Sequence, residues 1–204
     1  MPPELLVALS GLGLGLSLIV AIGSQNAFVL RQGLRRERVA LVVLVCVVSD
    51  VVLIGAGVAG AGAAVESRPW LLDVVRWTGA AFLTTYGLMA AWRAWRPKVL
   101  DPSVEAVPSS VRAVVGTALA LTWLNPHVYL DTVLLLGSLA SGYGADGRWA
   151  FAAGAALGSV VWFVGLGYGA RLASGLFARP GAWRVLDLLI GIVMLALAVS
   201  LVLH

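Results

Sequence analysis

The sequence predicts an all-α polytopic membrane protein: six transmembrane helices in two inverted three-helix repeats, helices one and four broken. Three observations carry that prediction. Of the 204 residues, 60% are hydrophobic and only 12% are charged, where an ordinary soluble domain is about a quarter charged. Six apolar runs lie at about 5–30, 39–65, 70–92, 114–139, 149–173 and 183–203. Each meets the roughly 20 residues needed to cross about 30 Å of hydrocarbon. Polar clusters interrupt two of the runs, at matching places in the two halves. A barrel would instead show alternating ten-residue segments, which are absent.

The chain reads as one transmembrane domain over 1–204, with repeat one at 1–95, a cytoplasmic linker at 96–112 and repeat two at 113–204. Met1, Pro2, Pro3 and Glu4 lack the basic start of a secretory signal. The first run is therefore expected to stay as a spanning helix. The net charge of +4 does not point to nucleic acid, because the basic residues lie in short connectors. They read as topology signals and contacts for anionic lipid head groups. The first, third and fifth connectors hold eleven Lys or Arg, among them Arg31, Arg93 and Arg184, against Arg68 and Arg148 in the other two. The positive-inside rule then places the odd connectors in the cytoplasm and both termini outside. The single cysteine, Cys46, says nothing of compartment, and no Cys/His cluster suggests a metal.

Run one is interrupted by Gly23, Ser24, Gln25 and Asn26. Such residues suit a discontinuous helix whose free amides line a cavity, or hydrogen-bonded contacts between helices. Run two carries Asp50 near its centre, with no basic residue at comparable depth. An ionised carboxylate there costs a few kcal/mol, so it should face the bundle interior, where a cationic substrate or a proton supplies the missing charge. Run three starts near Asp73 and Arg76. Run four holds Trp-Leu-Asn-Pro-His-Val-Tyr-Leu-Asp-Thr at 123–132. Pro126 removes a backbone donor and breaks the helix beside Asn125. Asp131 is a second site carboxylate, an outer gate, or a partner for Arg76. His127 is a proton relay or a hydrogen-bonded wedge. Trp123 and Trp162 are set for packing or substrate contact, and Asp73 and Asp187 for structural places at helix starts.

The halves correspond weakly: 23–26 with 123–126, and Ser49 and Asp50 with Gly158 and Ser159. Three helices per copy invert the second copy, as in many secondary transporters. The pairs Gly11 and Gly15, Gly154 and Gly158, and Gly165 and Gly169 are small-residue faces suited to close helix packing, at least one of them a real contact.

The segment at 23–33 (Gly-Ser-Gln-Asn-Ala-Phe-Val-Leu-Arg-Gln-Gly), Ser49 with Asp50, and the segment at 123–132 resemble the basic amino acid exporters of the LysE/ArgO type. The resemblance covers essentially the whole chain. Neutral amino acid exporters of the same superfamily usually carry Gly-Pro where Ser24 and Gln25 stand, and Lys at the position of His127. The resemblance implies ion-coupled efflux of L-lysine or L-arginine across the bacterial inner membrane, with no cofactor and no enzymatic activity. On that reading Gly23, Ser24, Gln25, Asn26, Asp50, Asn125, Pro126 and Asp131 bind substrate, and Asp50, Asp131 and His127 couple protons. Export of neutral amino acids or another small cation, a passive channel, and a homodimer are left open. No HExxH or GxSxG motif supports a hydrolase.

Overall fold

In a computed structural model the described residues are 2–20, 23–61, 67, 69–95, 110–173 and 180–203. Their regular structure is entirely helical. Helix α1 (Pro3–Ile19) stops short of the polar cluster, and α2 (Ser24–Arg35) leaves at 82° to it. Helix α3 (Val39–Ala56) runs into a π-helical turn at Gly57–Ala61. Helix α4 covers Pro69–Trp95 and α5 covers Val111–Trp123. After the break at Leu124 and Asn125, the segments Pro126–Val128, Tyr129–Leu135 and Leu136–Ser141 form α6, its middle again π-helical. Helix α7 (Gly144–Gly169) ends in a 3-10 turn, and α8 spans Pro180–Leu203.

Three helical stretches, Val39–Ala61, Gly144–Leu172 and Gly181–Leu203, are long and apolar enough to cross a bilayer; α1 with α2 makes a fourth if counted as one bent span. Lipid-facing character shows in the exposed Leu44, Val48, Trp77, Leu88, Val161 and Ile192. The polar linker lies mostly outside the described residues.

Packing follows the small residues. Helix α1 lies along α7 and α8 along α4. At the first contact a Cβ on Gly11 would run into the Phe151 carbonyl, and one on Gly154 into the Ala8 carbonyl. Gly15 meets Ala155, and Gly158 meets Leu12. Two of the three glycine pairs thus face each other, while Gly165 and Gly169 have open space beside them. A backbone neighbour cannot swing aside, so Gly154→Ala should lower Tm by an overpacking cost of about 1–3 kcal/mol. Gly165→Ala should be neutral or slightly stabilising, because alanine is the better helix former. Thermal unfolding of both variants in detergent measures the contrast.

The structure corrects the reading of the basic residues. Arg31 and Arg35 belong to α2 rather than to a connector. Arg31 pairs with the buried Asp187, and Arg93 stands 3.5 Å from the same carboxylate. Asp187, expected to be structural at a helix start, is an internal ion-pair member. Arg76 lies 3.8 Å from Asp73, one turn away, and not beside Asp131.

Candidate substrate cavity

One cavity of about 380 Å³ opens between the two helix breaks. Its wall includes Gly23, Ser24, Gln25 and Asn26 from the first break, Asp50 from α3, and Asn125, His127 and Asp131 from the second. Ile19, Ile54, Val128, Leu136 and Leu197 add an apolar lining. Pro126 is buried at the first turn of α6 and does not line the space. It makes the break without touching the contents. Small-molecule sites occupy about 300–1,000 Å³, and this cavity falls near the lower end.

Each break is held by side chains from other elements. Asn26 donates from Nδ2 to the Ile19 carbonyl at 2.6 Å, across the gap between α1 and α2. Its Oδ1 accepts from Trp162 Nε1 of α7 at 3.0 Å. Both amide atoms of Asn26 are therefore engaged in the scaffold. At the second break Asn125 Oδ1 accepts from the His127 backbone N–H at 3.1 Å. Tyr129 donates its hydroxyl to the Trp123 carbonyl at 2.9 Å. Trp123 Nε1 in turn donates to Ser49 Oγ at 3.1 Å. Ser24 Oγ donates to the Leu121 carbonyl at 3.4 Å, tying the two breaks together.

The two half-helix starts differ. The N-terminus of α6 is capped by Asn125, whereas Gly23 provides no side-chain cap to α2. Helix α2 thus presents uncapped amides to the cavity, an arrangement suited to an anion. Nearby, the Gln25 side chain lies beside Asp50 and Cys46.

Asp50 is 5% exposed and accepts from Ser159 Oγ of α7 at 2.7 Å. None of the ion pairs among the described residues involves it. The residues that correspond in the weak repeat, Asp50 and Ser159, therefore meet. Asp131 follows His127 by four residues, so the two share a face of α6 that borders the cavity.

Sequence reasoning left Ser159 outside the site, although the repeat pointed to it. It assigned no hydrogen bonds to Trp123 and Trp162, whose depth in their runs was the only signal. Thr132 and Ser200, also in the wall, gave none. Trp162→Phe keeps the ring and deletes the donor to Asn26. Loss of one hydrogen bond worth about 1 kcal/mol should slow transport about five-fold at unchanged protein level. Uptake assays in vesicles would read this.

Apolar helices around a polar cavity, with a buried carboxylate between two broken helices, have the build of a membrane translocator. The chain belongs to the LysE type translocator family, which matches residues 16–204. It is a transporter and not an enzyme. Lysine exporter LysE of Corynebacterium diphtheriae is 38% identical over 226 residues, covering 97% of this chain and 99% of that one. Arginine exporter protein ArgO of Salmonella enteritidis is 40% identical over 191 residues, covering 94% and 90%. A Mycobacterium tuberculosis protein, named only provisionally as an amino-acid transporter, is 51% identical over 184 residues, covering 90% of each. No solved structure matches the chain.

Proposed function

We propose that this protein exports L-lysine, L-arginine or both across the bacterial inner membrane, coupled to proton entry. The observation that carries the reading is Asp50: a buried carboxylate in the cavity wall whose side-chain partners, Ser159 and Gln25, are both neutral. A cationic side chain supplies the charge it lacks. The relatives named as lysine and arginine exporters agree with that chemistry.

A lysine or arginine zwitterion carries one carboxylate and two cationic groups. The uncapped start of α2 suits the carboxylate. The capped start of α6 does not, which makes the pose directional: carboxylate toward the α2 start at Ser24, side-chain cation toward Asp50. Asp131, with His127 on the same face, offers a second acidic position on the way out.

Six passes in two inverted halves suit this packing. Helix α3 contacts α7 and α4 contacts α8, the second and third helices of one half against those of the other. The crowding of basic residues into the odd connectors and the helix ends beside them favours a cytoplasmic location for these connectors. Exporting a net +1 solute against an inside-negative potential costs about 2.3 kcal/mol per 100 mV, so efflux needs a driving ion. Asp50 serves as carrier when it alternates between substrate and proton.

Exporter-deficient cells fed lysine- or arginine-containing dipeptides test the reading. Expression of this protein should raise excretion of the basic amino acid several-fold. Excretion of leucine from a leucine dipeptide, with none of lysine or arginine, would replace it with a neutral amino acid exporter.

A further inference from the structure

On α8, Asp187 lies ten residues before Leu197 of the cavity wall, which is about 15 Å along a helix. The interval is sealed. Ile190 and Met194 are at most 3% exposed and pack in one cluster with Leu83, Ala90 and Leu121. Beyond this plug, the Asp187 carboxylate joins Arg31 of α2 and Arg93 of α4. Arg184 of α8 adds a second tie by donating to the Ala94 carbonyl at 2.9 Å. These contacts bind the half formed by α1–α4 to α8 at the end that leads into the odd connectors.

Two guanidiniums face one carboxylate. Arg93 lies 5.7 Å over the Tyr86 ring, and its buried Nη2 has no hydrogen-bond partner. The cluster thus has donor capacity beyond what Asp187 uses. An anionic group is what it can still accept.

We propose that Arg31, Arg93 and Asp187 form the cytoplasmic gate, opened when a cationic amino acid exchanges with its ion pairs. The substrate carboxylate takes the arginines while its side-chain cation takes Asp187. Exchange gives each of the two carboxylates a cationic partner, whereas simple rupture would strand Asp187 as an isolated charge in an apolar setting. The proposal rests on the export reading and orientation given above.

The test uses the full-length protein with Cys46, the single cysteine, changed to serine and Leu18→Cys as reporter in the cavity wall. A membrane-impermeant thiol reagent is applied to right-side-out and inverted vesicles. The parent reporter should label from outside only. Asp187→Asn should raise labelling from the cytoplasmic face several-fold, and Asp187→Glu should keep the parent pattern. L-arginine on the cytoplasmic face of the parent should act like Asp187→Asn, whereas agmatine, which lacks the carboxylate, should not. If Asp187→Asn fails to accumulate, Arg93→Gln carries the same expectation. Parent-like sidedness in the neutralised variants, or equal action of arginine and agmatine, overturns the proposal. A shift in sidedness in a protein that moves neither lysine nor arginine would sink the substrate reading and with it the exchange step, and leave the ion cluster only as the seal.

Discussion

Asp50→Asn is expected to lose at least about ten-fold, and up to about 100-fold, of lysine and arginine transport efficiency while the protein still folds. The size follows from deleting a charged interaction worth about 1.5–3 kcal/mol in a buried site. Folding should survive because Ser159, the hydroxyl donor to Asp50, can donate equally to an amide oxygen. The asparagine cannot carry a proton in exchange for substrate, so the pH dependence of efflux should vanish with the rate. Asp146 makes the comparison fair: it is an exposed carboxylate in the first turn of α7. Asp146→Asn should leave transport within two-fold of the parent. Initial rates across a pH series, at matched protein level, measure both. Full, pH-dependent efflux by Asp50→Asn would remove Asp50 from the mechanism.

Gly79→Ala should be nearly as damaging, for a steric reason. A Cβ at Gly79 would run into the Leu124 carbonyl at the second break and approach Pro126 Cδ at 3.6 Å. That carbonyl belongs to the backbone of the break itself, whose shape Pro126 and the Asn125 cap define. The methyl therefore either pushes α4 away or shifts Asn125 and His127 in the cavity wall. Overpacking of this kind costs about 1–3 kcal/mol, which should appear as a lower Tm together with at least about a five-fold fall in transport. Gly116→Ala is the control, since its Cβ would meet nothing within 4 Å. Parent-like transport and Tm in Gly79→Ala would show that the contact with the break is unimportant.

The two breaks were legible because their chemistry contradicts their surroundings. Gly23, Ser24, Gln25 and Asn26 are poor lipid-facing residues, and Pro126 cannot complete the ladder of a helix. Asp50 was legible for the same reason. The partner of Asp50 was half legible, since the repeat set it against Ser159 but could not say that the two touch. The ion cluster at Asp187 was hidden. Arg31 and Arg93 look like ordinary positive-inside residues, and their shared partner lies 156 positions from Arg31. Gly79 was hidden as well, because it belongs to no glycine pair and its neighbour comes from another helix. The scaffold role of Asn26 needed the coordinates too: a cavity-lining amide looks like a ligand until Ile19 and Trp162 are seen to engage both its ends.

Counterflow in proteoliposomes tests the central claim most directly, that this cavity selects a zwitterion with a cationic side chain. Vesicles loaded with unlabelled arginine should accumulate labelled arginine and labelled lysine, saturably, and exclude labelled leucine. Asp50→Asn vesicles should accumulate neither basic amino acid above protein-free controls. Leucine accumulation equal to that of arginine, or arginine counterflow unaffected by Asp50→Asn, would contradict the account.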